Sequence, residues 1–391
     1  MVRDNTARLA ARKALLAKGK GGPSAPILQA IASRGSNYSN GLSNGLTELA
    51  MSYKVSHLAA VDATDIALAY GNYYDEGWTN ANPITVKVAL LIRGIYYPVF
   101  FNGATSVTIG EGGTVVSDST GIFLKKGETF YSITYVTVSA GQKYPRGMVV
   151  YQERGEGAVA ADITASGSPT TYGVYAYHPL AVLGRAKTPT PAVLLVGDSI
   201  MQGANDGFQD VGFAARALDA AGIPWIRIAK GGGSIYNLTN RGAMQRMRLA
   251  KYCTHAITNY GINDLVGRTY TQMVADYQTL WSMLAEYGLK VFQCTITPHT
   301  DTTDNWATAV NQTFNPSTAA VGPASHRTNV NNYIRTSPAP LAGYFDVADK
   351  VETSRNSGLW KYPAKTDDGL HPRDNGHVDM AAAITTSLIT V

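Results

Sequence analysis

The sequence predicts an α/β protein in two parts: a parallel sheet covered by helices over residues 190–391, preceded by an all-β sandwich, jelly-roll-like, over residues 49–183. Three observations carry this reading. Residues 192–196, Ala-Val-Leu-Leu-Val, form an unbroken apolar run that stops at Gly197-Asp198-Ser199, as expected of a strand buried on both faces. Strand-like and helix-like stretches then alternate to the end of the chain. From about 50 to 182 the texture is instead β-branched and aromatic, cut by glycine turns and without useful helical periodicity. A chain of 391 residues also exceeds what one ordinary core holds, so two domains are expected.

Residues 1–48 read as a basic helical arm and a flexible linker. The helix spans 5–18, capped by Asn5 or Thr6 and stopped by Gly19. The linker is the Ser-, Asn- and Gly-rich stretch 33–47, with its short tandem Ser39-Asn40-Gly41-Leu42 and Ser43-Asn44-Gly45-Leu46. In the β region the clearest strands are 84–92, 95–101 and 129–138, and Pro98 marks an edge position or a bulge. Trp78 sits in a turn; its ring suits stacking on a sugar, but a plain turn aromatic is the commoner case. Residues 184–191, with Pro189 and Pro191, make a stiff connector. Beyond it the strands are 192–196, 225–229, 255–260, 290–297 and 343–348. Met273, Tyr277, Leu280, Trp281, Leu284 and Tyr287 fall at helical spacing and predict a core-facing helix. A last helix starts near Asn375.

Composition narrows the function. The net charge of +5 comes largely from Arg3, Arg8, Arg12, Lys13, Lys18 and Lys20, which face only Asp4, so the body is near neutral and no nucleic-acid partner is expected. No run approaches the roughly 18 apolar residues of a membrane span, so no membrane partner is expected either. The basic N-terminus lacks the apolar core of a signal peptide, which leaves cytoplasmic, non-classically exported and virion-associated locations open. Cys253 and Cys294 read as small buried thiols. His255, His299, His326 and His377 read as structural, loop, helix or cap residues, and no spacing suggests a metal site.

Four short elements carry chemistry. The first predicted strand ends at Ser199, the second runs into Gly231-Gly232-Gly233-Ser234, and the third ends at Gly261-Ile262-Asn263-Asp264. Parallel strands bring these three to one sheet edge, the usual ligand edge of such folds. The fourth, Asp368-Gly369-Leu370-His371, lies just before the last helix. A serine hydroxyl needs a base to take its proton, and an imidazole is suited to that at neutral pH. Asp368, three residues before His371, is placed to fix the imidazole tautomer. Candidate donors to an oxyanion are the Ser199 N–H, a glycine N–H from 231–233 and the Asn263 amide. Asp264 is expected to cap the helix after Asn263.

This combination resembles the SGNH hydrolases, also called GDSL-type esterases, over about residues 190–391. The resemblance implies a three-layer α/β/α fold and hydrolysis of an acyl ester without metal or cofactor. It assigns Ser199 as nucleophile, His371 and Asp368 as the rest of the catalytic triad, and Ser199, Gly232 and Asn263 as the oxyanion hole. The first block reads Gly-Asp-Ser-Ile where Leu is common, and the three glycines in a row leave Gly232 and Gly233 as alternatives. By analogy with the family and from the added β region, the expected substrate is an O-acetylated carbohydrate. The alternatives are a lipolytic or small-ester hydrolase, and a phage-tail or surface-assembly binding protein with an accessory esterase domain.

Overall fold

The computed structural model describes residues 28–74, 82–207, 211–240, 244–315 and 325–391. The basic helix expected over 5–18 and Trp78 lie outside the described residues. The strands in chain order begin with β1 (Gln29–Ala30), β2 (Gly35–Ser36), β3 (Ala50–Leu58), β4 (Ala63–Gly71), β5 (Ile84–Ile92), β6 (Ile95–Val99), β7 (Ser106–Ile109) and β8 (Thr114–Val116). They continue with β9 (Thr129–Thr137), β10 (Val149–Val150), β11 (Gly157–Val159), β12 (Val174–Tyr175) and β13 (Ala181–Ala186).

Apart from β2, these strands build two main antiparallel sheets, ordered β1-β13-β4-β8 and β11-β3-β9-β5-β6, with β7 also on β5, and a separate antiparallel pair, β10 with β12. The two sheets share a core. Tyr70 of β4 reaches Thr134 of β9 through a 2.7 Å hydrogen bond between their hydroxyls. Alternate residues Phe130, Ser132, Thr134 and Val136 of β9 are fully buried, the period-2 pattern of a strand with one face on a core. Pro98 lies on β6, at the edge of its sheet, where a missing N–H leaves no ladder bond unmade.

The C-terminal part adds β14 (Val193–Val196), β15 (Trp225–Arg227), β16 (His255–Thr258), β17 (Lys290–Cys294), β18 (Thr300–Thr302), β19 (Gln312–Phe314) and β20 (Leu341–Phe345). Its helices are α1 (Ser199–Gln202), α2 (Gly212–Ala221), α3 (Ile235–Asn240), α4 (Met244–Met247), α5 (Tyr270–Glu286), α6 (His326–Arg335), α7 (Ala348–Val351) and α8 (Asp374–Ala381). The main sheet is parallel throughout, in the order β2-β15-β14-β16-β17-β20. Every residue of β14 and β16 is buried, so both faces are covered. The helices fall into two packed groups, α1, α2, α7 and α8 in one and α3, α5 and α6 in the other. The expected helix around Tyr277 is α5, opened by a capping box between Thr269 and Gln272 and buried along Met273, Tyr277, Leu280, Trp281 and Leu284. Among the described residues no helix is long and apolar enough to cross a membrane.

Two expectations about boundaries need correction. The stretch expected to be a flexible linker is ordered and buried over its first part, residues 33–38, while Asn44, Leu46 and Thr47 are exposed. Strand β1 joins the sandwich through β13, and β2 adds an edge to the parallel sheet by pairing with β15. Arg34 is buried against Glu156 and donates to Ser56 Oγ at 2.8 Å. Tyr38, 1% exposed, stacks on Tyr177 with ring centroids 5.1 Å apart. Ser, Asn and Gly composition indicates a loop only where no neighbouring sheet edge offers partners, and here two sheets offer them. The connector also begins later than residue 184, because β13 runs to Ala186 and pairs with Ala63.

Candidate active site

Strand β14 lies between β15 and β16, so the chain leaves it toward one neighbour and later returns on its other side. Loops at the carboxyl ends of these strands therefore diverge and leave a crevice. Ser199 stands at this point, directly after β14, as the first residue of α1. Asp198 caps the helix by accepting from the Ile200 N–H at 2.9 Å. Gly197 is required by close approach: a Cβ there would stand 1.8 Å from Asn259 Oδ1. The same Asn259 donates to Asp198 Oδ1 at 2.9 Å. Burial pushes the Asp198 carboxyl up to about 6, against the lowering effect of its bonds from Asn259 and Ile200.

The structure brings Ser199, His371 and Asp368 together across 172 residues of chain. Ser199 Oγ lies 2.8 Å from His371 Nε2, and His371 Nδ1 lies 2.7 Å from Asp368 Oδ2. The Asp368 turn is built largely from itself. Its Oδ1 accepts from the Leu370 N–H at 2.9 Å and the His371 N–H at 2.7 Å. Buried Thr366 accepts from the Gly369 N–H at 2.9 Å. Gly369 has φ +75°, and a Cβ on it would stand 1.8 Å from Thr300 O, so no other residue fits the bend. Partial burial works against the Asp368 charge, but the bonds from the His371 ring, the His371 N–H and the Leu370 N–H outweigh it and hold the carboxyl well below its usual range.

The other candidates gather around the turn that follows β15. The glycine turn is tied to the nucleophile's strand by the Lys230 N–H donating to Gly197 O at 2.9 Å. Asn263 Nδ2 donates to Gly233 O at 2.9 Å, so the third loop is tied to the same turn. Gly231 is the glycine beside the nucleophile: a Cβ on it would lie 3.9 Å from Ser199 Cβ, while one on Gly232 meets nothing within 4 Å. Gly232 is the middle residue of the turn, with φ +69°.

One expectation beside the site needs correction. Asp264 does not cap a helix after Asn263; it accepts from the Ile235 and Tyr236 N–H groups at 3.1 and 3.3 Å, at the start of α3. Negative charge suits any nearby helix N-terminus, and sequence distance does not decide which one. His255 bonds Thr254 Oγ1 at 2.8 Å and stacks on Phe292, a structural role. His377 is buried in α8, 3.0 Å from Ala204 O. Cys253 and Cys294 are buried thiols. Half-buried His299 follows β17, and burial lowers its pKa against the raising effect of Asp301 and Asp368.

Sequence reasoning missed three residues at the site. Gln202 follows Ser199 by three positions, so helical spacing from the nucleophile is a signal for it; Asn205 lies past the end of α1, at φ +62°, and its only signal is nearness in sequence. Asn205 donates to Asp368 Oδ2 at 3.2 Å. Ser39, which accepts from Gln202 Nε2 at 2.8 Å, lies 163 residues away in sequence and left no signal.

No protein-family model matches the chain, and no curated protein matches it. Among solved structures it is similar to a family two carbohydrate esterase from Clostridium thermocellum in complex with cellohexaose, at 13% identity and a TM-score of 0.37, over 93% of this chain and 94% of that one. It is similar to the acetyl xylan esterase AlAXEase at 20% identity and a TM-score of 0.38, over 51% of this chain and 100% of that one. A GDSL-like lipase from Bacteroides thetaiotaomicron matches at 16% identity and a TM-score of 0.37, over 51% of this chain and 87% of that one. Likeness at these scores adds no weight to the side-chain geometry. That geometry is a serine, a histidine and an aspartate in hydrogen-bonded series at the carboxyl edge of a parallel sheet, beside a glycine turn and an asparagine amide.

Proposed function

We propose that this chain is a serine esterase that hydrolyses acyl esters, with O-acetylated carbohydrate as its substrate class. The observation that carries the reading is the pair of contacts from His371, 2.8 Å to Ser199 Oγ and 2.7 Å to Asp368 Oδ2. Ser199 Oγ attacks the ester carbonyl carbon while His371 Nε2 takes its proton, and Asp368 stabilises the imidazolium through Nδ1–H. The tetrahedral oxyanion lies between the Ser199 N–H at the head of α1, the glycine turn and the Asn263 amide. Gly232 is the glycine the resemblance assigns, and Gly231, whose Cβ position lies 3.9 Å from Ser199 Cβ, is a further candidate donor. One Asn263 amide hydrogen serves Gly233 O; the second is assigned to the oxyanion. The C–O bond then breaks, the leaving alcohol takes the proton from His371, and an acyl-Ser199 remains. Water attacks that acyl group with His371 again as base, which releases the acid and restores Ser199.

The carbohydrate assignment rests on the resemblance in sequence and on the β-sandwich carried beside the site. A fluorophosphonate probe should label wild type and leave Ser199→Ala unlabelled; equal labelling would remove Ser199 from the role. Acetate release compared across acetylated xylan, pectin, peptidoglycan and capsule preparations tests the substrate class. Turnover confined to small esters would replace it with the small-ester reading.

A further inference from the structure

We propose that Gln202 and Ser39 are a positioning pair that sets the glycine turn for the oxyanion, which makes the N-terminal segment around β2 a working part of the site. This rests on the esterase reading above. Gln202 is the last residue of α1, one turn beyond the nucleophile. Its side chain spans two distant pieces of chain: Nε2 donates to Ser39 Oγ at 2.8 Å, and Oε1 lies 3.4 Å from the Cβ position of Gly231. Its backbone carbonyl accepts from Arg227 Nη1 at 2.8 Å, on the strand that leads into the same turn. The amide is therefore held by Ser39 through Nε2, and its Oε1 lies beside the glycine nearest Ser199.

Ser39 is in turn held by what flanks it. Three residues earlier, Ser36 pairs with Arg227 in the sheet, and the Asn37 N–H donates to Arg227 O at 2.9 Å. Tyr38 is locked into the sandwich, its hydroxyl donating to His178 O at 2.7 Å and its ring stacked on Tyr177. Consecutive residues thus face opposite ways, Tyr38 into the sandwich and Ser39 onto the helix of the nucleophile. Oxyanion donors act through preorganisation, so a glycine turn free to shift loses rate without losing substrate affinity.

The test uses the full chain with p-nitrophenyl acetate kinetics and thermal unfolding on Gln202→Ala, Gln202→Glu, Ser39→Ala and Ser39→Thr. Gln202→Ala and Ser39→Ala should each lower kcat about tenfold, less than loss of a direct oxyanion donor, with KM and Tm unchanged. Ser39→Thr keeps the hydroxyl and should restore the rate. Gln202→Glu should fall below Gln202→Ala, because a carboxylate beside the turn opposes the oxyanion charge, an effect a merely structural role would not produce. The glutamate and threonine variants keep the comparison readable if an alanine variant fails to fold. Alanine variants with wild-type kcat, or with KM raised at unchanged kcat, would overturn the pair while the esterase reading stood. A wild-type chain neither labelled by fluorophosphonate nor active on the ester would remove both.

Discussion

The two loops beside Ser199 are held with a different balance of local and distant bonds. The acid turn, residues 366–371, is braced mainly by neighbours in sequence: Thr366 on the Gly369 N–H, and Asp368 Oδ1 on the N–H groups of Leu370 and His371. The glycine turn, residues 230–233, has one bond of its own, the Gly233 N–H on Lys230 O at 3.0 Å, and is otherwise braced by partners about 30 residues away, Gly197 and Asn263. A turn stabilised by its own side chains keeps its shape wherever the chain carries it, whereas one stabilised by distant strands exists only in the finished sheet.

That contrast predicts different fragilities. The largest effect is expected from a truncated chain beginning at Thr188, which keeps the acid turn but loses β2 and Ser39. It should lose turnover even of p-nitrophenyl acetate, which is small enough to need no binding surface on the sandwich. A soluble truncated chain with undiminished turnover would show that the glycine turn needs no support from the N-terminal segment. Next comes Asp368→Asn. Its oxygen can still accept the two N–H bonds, so the turn should hold and Tm should not move, while kcat falls by up to about 10⁴ through the wrong His371 tautomer. A large fall in Tm would mean that the turn depends on the carboxylate charge. Asn263→Ala removes both an assigned oxyanion donor and a tie to Gly233, and should lower kcat by roughly 10²–10³; kinetics near wild type would take Asn263 out of the oxyanion hole.

The smallest effect is a pH dependence at the base of the nucleophile's turn. Asp198 has its folded pKa raised to about 6 by burial, above its unfolded value of 3.8. Folding therefore takes up a proton as pH falls through 6, and the contribution is present in acid and lost as pH rises. Between pH 8 and pH 5 wild type should gain roughly 1.4 kcal/mol of stability from this group, and Asp198→Asn should lack that gain. Denaturant unfolding at the two pH values measures it, and parallel slopes for the two proteins would contradict it. Asp264, raised mainly by burial and in small part by Asp198 itself, contributes with the same sign in both proteins and slightly less in Asp198→Asn, which adds to the expected difference.

The sequence by itself determined the parallel sheet, the site at its carboxyl edge, and the pairing of Asp368 with His371. Each of these rests on local information: the apolar run 192–196 needs a two-sided cover, and a three-residue spacing lets a carboxylate meet both the backbone and the ring of its own turn. The tertiary structure alone decided the rest. Residues 33–47 read as a linker because Ser, Asn and Gly carry no periodicity, yet an open edge on β15 and a tyrosine cluster in the sandwich order them. Asp264 was assigned to the nearer helix and serves α3 instead. Of Gly231 and Gly232, only Gly231 has a Cβ position within 4 Å of Ser199. In each case the deciding partner is distant in sequence, and a contact of that kind leaves no mark on the residues nearby until the chain has folded.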